Sequence, residues 1–215
     1  MDNNGILSNA FKWLAIGLLV CFATSYICSM DEVFEVIFGG GAIAVIVFVV
    51  LELACAFALT LFIKKLSPTM AKIMYILYTV LTGISFSGIF LVYTGESIAM
   101  VFLMTGLIFG AFAWVGKNSK MDLSKWGTYL FVALIAIIIT EIINIFIGSS
   151  GLQMLICLVA ILVFAGYTAY DVKFALERAK DMDTENAGIF CAFQLFLDFI
   201  NLFIRLLELF GKNND

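Results

Sequence analysis

Histidine is absent from this 215-residue chain, proline occurs once, and only 13% of the residues are charged. Each scarcity excludes something. Without histidine there can be no Ser–His hydrolase. The usual titrating side chain near neutral pH is also missing, so proton sensing there would fall to carboxylates in perturbed surroundings. A single proline, Pro68, with 22 Phe residues argues against an outer-membrane barrel, whose short alternating strands need many turns. Lys and Arg number 12 against 16 Asp and Glu, a net charge of -4 with no strong basic cluster, which excludes nucleic acid as a partner. The five cysteines (Cys21, Cys28, Cys55, Cys157, Cys191) are odd in number and form no CxxC pair, so neither a disulfide framework nor a metal site is suggested. Lying inside apolar stretches, they read as small buried hydrophobes.

What is there is hydrocarbon. Apolar residues make up 63% of the chain and the mean hydropathy is +1.10, against about 45–50% apolar and about 25% charged in soluble domains. Apolar stretches lie near 11–30, 36–63, 70–93, 97–116, 126–147, 152–178 and 187–210. Each is long enough to cross a ~30 Å bilayer core at ~1.5 Å per residue. They predict an all-α integral membrane protein with seven transmembrane helices, one domain over residues 1–215. The first stretch reads as a retained helix, since no small-residue cleavage site follows it. Gly106 and Gly110 in the fourth form a small-xxx-small pattern, a hint of close helix approach.

Charge sets an expected orientation. Lys12, Lys64, Lys65, Lys72, Lys117, Lys120, Lys125, Lys173, Arg178 and Lys180 all fall on one side of the seven crossings, and the first, third and fifth connectors hold no basic residue. The positive-inside rule then places the N-terminus in the cytoplasm and the C-terminus outside.

Against this apolar background a few polar residues stand out. Asp171 lies late in the sixth stretch and Asp198 within the seventh. An ionised carboxylate in hydrocarbon costs at least ~2.5–3.5 kcal/mol on insertion scales, so such residues face protein or water and usually have a task. Two carboxylates within ~4–6 Å share a proton and titrate as a unit, and their hard oxygens suit Ca²⁺. Hydrogen bonding to nearby Tyr, Thr or Asn, with no task beyond structure, is the competing reading. Asp198, Asn201, Arg205 and Glu208 recur at i, i+3, i+7 and i+10, within a ~80° arc of a helix. That stripe fits either a spanning helix turned toward its neighbours or an amphipathic helix on the membrane surface. Arg205 needs a carboxylate, with Glu208 and Glu141 as candidates. Glu52 and Glu141 are either rungs of a polar pathway or groups bonded to an adjacent helix. Lys64 and Lys65 should snorkel to the interface.

Leu197-Asp-Phe-Ile-Asn-Leu-Phe203, followed by a leucine pair and Gly211, resembles the C-terminal signature of the Bax inhibitor-1 (transmembrane Bax inhibitor motif) family. Gly166-Tyr-Thr-Ala-Tyr-Asp171 resembles that family's helix-six motif, and residues 90–99 and 120–124 look like its bacterial branch. The likeness runs from about residue 75 onward. It implies six helices around a central seventh, a bacterial cytoplasmic membrane, and a pH-sensitive Ca²⁺ leak governed by an aspartate dyad that Asp171 and Asp198 match. Two positions depart from the pattern. Glu208 stands where the family often has Arg, with Arg205 one turn earlier. The basic latch proposed near the end of helix two has only Lys64 and Lys65 as candidates here.

The leading function class is therefore a pH-modulated calcium-permeable leak channel or calcium/proton exchanger, with calcium as the permeant ion and no organic cofactor. A non-transporting regulator of a membrane partner, such as a membrane-bound protease or stress-response complex, is the alternative. An intramembrane aspartyl protease would need Gly-x-Gly-Asp and Pro-Ala-Leu motifs; Asp198 follows Phe-Leu instead, and the one proline is Pro68. The chain is not expected to be an enzyme.

Overall fold

A computed structural model describes residues 3–120, 123, 125–178 and 182–214. The motif at 120–124 thus lies partly, and Lys180 wholly, outside the described residues. Regular structure among them is helical: α1 (Asn3–Cys28), α2 (Asp31–Phe38), α3 (Ala42–Phe62), α4 (Pro68–Ser85), α5 (Ser87–Val92), α6 (Gly95–Asn118), α7 (Trp126–Ile147), α8 (Ser150–Arg178) and α9 (Thr184–Phe210). Seven segments are long and apolar enough to span a membrane, with α4 and α5 together forming the third. The protein is an all-α integral membrane protein.

Three boundaries differ from the sequence expectation. Helix α1 starts at Asn3 rather than near 11, because Ile6, Leu7 and Ala10 are at most 4% exposed and extend the packed face. The stretch expected as one helix over 36–63 is divided. Asp31 and Glu32 favour an earlier start by facing the positive end of α2. Gly39-Gly-Gly41 then breaks the helix, with Gly41 at φ 65°, a left-handed conformation that residues with a side chain seldom adopt. The expected helix over 70–93 is interrupted at Phe86 (φ -90°, ψ 0°), between α4 and α5. Ser67 caps α4 by accepting from Met70 N at 3.3 Å, with Pro68 at its first position.

The chain forms two compact units. The first comprises residues 1–95, 175–196 and 213–215, so it holds α1 to α5 and the first half of α9. Lipid supplies no hydrophobic force between spans, so contact shape and interhelical hydrogen bonds must hold them. Tyr75 of α4 donates to the Trp13 carbonyl of α1 at 3.0 Å and packs edge-on to its ring. Gly17 makes room for that phenol, since a Cβ there would sit 2.1 Å from the Tyr75 hydroxyl. Tyr78 meets Phe193 and Phe196 of α9 edge-on at 5.0 and 5.9 Å. Asn186, only 4% exposed, donates to the carbonyls of Ile63 (3.2 Å) and Leu66 (2.8 Å), satisfying backbone acceptors left open where α3 ends.

The second unit comprises residues 96–174 and 197–212, with α6, α7, α8 and the second half of α9. Phe199 packs tilted against Phe102 and edge-on against Phe109 of α6, with centroids at 5.3 and 5.5 Å. Backbones approach closely at Gly116, where a Cβ would lie 2.2 Å from the Ala169 carbonyl oxygen. The expected contact at Gly106 and Gly110 is not made: a side chain at either would meet nothing within 4 Å. Their face of α6 also carries Leu103 and Leu107, 68% and 75% exposed, and presents itself to lipid.

Of the two readings of the seventh segment, spanning holds. Buried residues make up 78% of the best window of α9, the highest share among the seven spans. A helix lying in the interface would leave its polar face wet; here Leu202, Phe203 and Leu206 on the apolar side and Asp198 on the polar stripe are all at most 5% exposed.

Candidate ion pathway

Asp171 on α8 and Asp198 on α9 belong to the same compact unit and are 8% and 5% exposed. The Tyr167 phenol, one turn before Asp171, lies within electrostatic reach of both carboxylates. Neither acid stands without a polar or electrostatic partner. Lys173, two residues beyond Asp171, donates to the Ser119 carbonyl at 3.2 Å. Asn201 turns its amide back onto its own helix, donating to the Leu197 carbonyl at 2.7 Å.

Further along α9 the polar stripe becomes a network. Arg205 extends Nη2 to Glu141 Oε1 on α7 at 2.5 Å and Nη1 to Glu208 Oε2 at 3.0 Å. Both sequence candidates thus pair with it at once, as a planar guanidinium with two diverging donors permits. Glu208 Oε2 also accepts from the Cys157 thiol at 2.9 Å and from Gln153 Nε2 at 3.4 Å, both on α8. Asn144 of α7 donates to Gln153 Oε1 at 3.0 Å, while its own oxygen accepts from Ser149 N at 3.1 Å. Cys157 is therefore a hydrogen-bond donor to a carboxylate, a correction to its reading as a small hydrophobe. Gln153 went unnoticed in the sequence, although it and Cys157 sit at i and i+4 on one face of α8.

Glu52 lies apart, in the first unit. Its two oxygens accept from Thr82 and Ser85 of α4, each at 2.8 Å. Of the two readings offered for Glu52 and Glu141, bonding to an adjacent helix describes both. Lys64 and Lys65 are exposed in the 3₁₀ turn that ends α3.

The sequence comparisons agree with this architecture. The family profile described as "Inhibitor of apoptosis-promoting Bax1" matches residues 3–215. The chain belongs to the Bax inhibitor-1 family. Among curated relatives, it is 35% identical to the inner membrane protein YbhL of Escherichia coli K12 over 96% of this chain and 91% of that protein. It is 32% identical to a protein of Borreliella burgdorferi over 99% and 94% of the two chains, and 30% identical to one of Deinococcus radiodurans over 97% and 90%.

Within this family member, two carboxylates fall well short of the six to eight oxygens that Ca²⁺ takes when it resides in a protein. Among the described residues, no three His, Cys, Asp or Glu side chains are grouped to hold a metal.

Proposed function

We propose that this protein is a calcium-permeable, proton-modulated leak pathway or exchanger in a bacterial cytoplasmic membrane, with Asp171 and Asp198 as its sensing and cation-contacting groups. The observation that carries this reading is the placement of two nearly buried carboxylates in one unit, both within electrostatic range of Tyr167. In this reading proton and cation compete for the same oxygens. The N-terminus is cytoplasmic and the C-terminus outside, following the basic connectors. Catalysis plays no part in this reading, and no organic cofactor is called for. The partners are the bilayer, calcium and protons.

Purified protein in proteoliposomes, loaded with a calcium indicator and measured across about pH 6–8, tests the proposal. Asp171→Asn and Asp198→Asn should each flatten the pH dependence. The double variant should add little to the stronger single one, because coupled groups are not additive. No flux from the folded wild type would favour the regulator reading. Unchanged pH profiles in both single variants would leave the two acids a structural role.

A further inference from the structure

The first unit contains a cavity of about 290 Å³ lined by Phe34 and Phe38 of α2, Gly41, Val45, Phe48 and Val49 around α3, and Ser85, Ser87 and Gly88. We propose that it is a lipid site, taking one acyl chain of a phospholipid whose head group carries a primary ammonium. Nothing in the ion pathway requires it, and the proposal goes beyond that reading.

The walls determine what can enter. Phe34, Phe38 and Phe48 form a run of rings with centroids 4.8 and 5.8 Å apart. The two hydroxyls present already spend their hydrogens, Ser85 on Glu52 and Ser87 on the Ile84 carbonyl, each at 2.8 Å. Water filling the space would find few partners, and apolar cavities of this order stay dry and take up hydrocarbon. Gly41, Val45 and Val49 at the mouth are exposed, and α3 is the least buried span, with 11% of its best window covered. The medium at that mouth is therefore bilayer hydrocarbon.

The rim selects the head group. Asp31, Glu32 and Glu35 of α2 are all exposed, and no Lys or Arg occurs between Lys12 and Lys64. On a helix of ~100° per residue, Asp31 and Glu35 lie together beside the stripe that places Phe34 and Phe38 in the cavity. Glu35 Oε1 lies 3.9 Å from where a side chain on Gly39 would begin, at the end of α2 that carries Phe38 into the cavity. Three acids with no ion-pair partner among the described residues favour an ammonium head and repel an anionic one.

Native mass spectrometry of delipidated protein titrated with dioleoylphosphatidylethanolamine or dioleoylphosphatidylglycerol tests both halves. Wild type should retain one ethanolamine lipid about fivefold more tightly than the glycerol lipid, the scale of one exposed charge pair. Gly88→Leu should abolish that retention and still fold, since a side chain there meets nothing within 4 Å. Val49→Trp, blocking the mouth from α3, should act alike. The triple change Asp31→Asn, Glu32→Gln, Glu35→Gln should keep one bound lipid and lose the preference. Equal retention of both lipids by wild type, or undiminished retention in both blocking variants, would overturn the proposal.

Discussion

Replacing Arg205 with Gln is the most informative single perturbation. The guanidinium bridges Glu141 at 2.5 Å and Glu208 at 3.0 Å with 15% of its side chain exposed, and the acids are 29% and 30% exposed. A charge-assisted hydrogen bond contributes about 1.5–3 kcal/mol, and partial exposure cuts that toward the lower end. Loss of both, with two carboxylates stranded, should cost about 2–4 kcal/mol. For a chain of this size each kcal/mol moves the melting midpoint by about 2–4 °C, so a fall of roughly 4–16 °C is expected. Arg205→Lys should recover about half, because one ammonium cannot serve two diverging acceptors as the planar fork does. The double change Arg205→Gln with Glu208→Gln should also recover part, since one stranded charge is gone. Thermal unfolding in detergent, followed by tryptophan fluorescence at neutral pH, reads all of this. A single variant melting with the wild type at neutral pH would refute it, and the network would then contribute nothing measurable.

Other outcomes follow from separate parts of the molecule. Gly116→Leu should prevent normal folding, because a Cβ there lies 2.2 Å from the Ala169 carbonyl oxygen, whereas Gly106→Leu and Gly110→Leu should express and melt like wild type; size-exclusion profiles of the three distinguish these fates. Asn186→Leu should cost about 1–3 kcal/mol by leaving two carbonyls without their donor. Hydrogen exchange should rise at residues 62–66 more than elsewhere. Reporter fusions at Ser149 and after residue 210 should both report the outer side; a cytoplasmic signal after residue 210 would contradict the charge-derived orientation.

The spans were legible because a bilayer imposes a length and a polarity that any sequence reading can measure, and α7 falls at 126–147 as expected. Breaks inside spans were harder. Gly39-Gly-Gly41 is visible as three glycines, but only the backbone shows that Gly41 takes a positive φ and separates α2 from α3. Lone acids were also easy to find, since carboxylates are rare in such segments. Their partners were not: Thr82, Ser85, Cys157 and Gln153 are ordinary residues in an apolar helix until a neighbouring Glu gives them an acceptor. The Gly106–Gly110 pattern shows the opposite failure. A spacing that permits close approach does not say whether protein or lipid lies across from it.

Helix α9 has a consequence for biosynthesis. It follows all six other spans in the chain, yet residues 184–196 complete one compact unit and residues 197–210 the other. Neither unit possesses its full set of helices until this segment is made. At about 5–20 residues per second, the 27 residues of α9 alone occupy seconds of synthesis. Throughout that interval Tyr78 lacks Phe193 and Phe196, and Phe102 and Phe109 lack Phe199. The nascent protein must wait in the bilayer with both units unfinished, so their packing is completed only after the last span has been made.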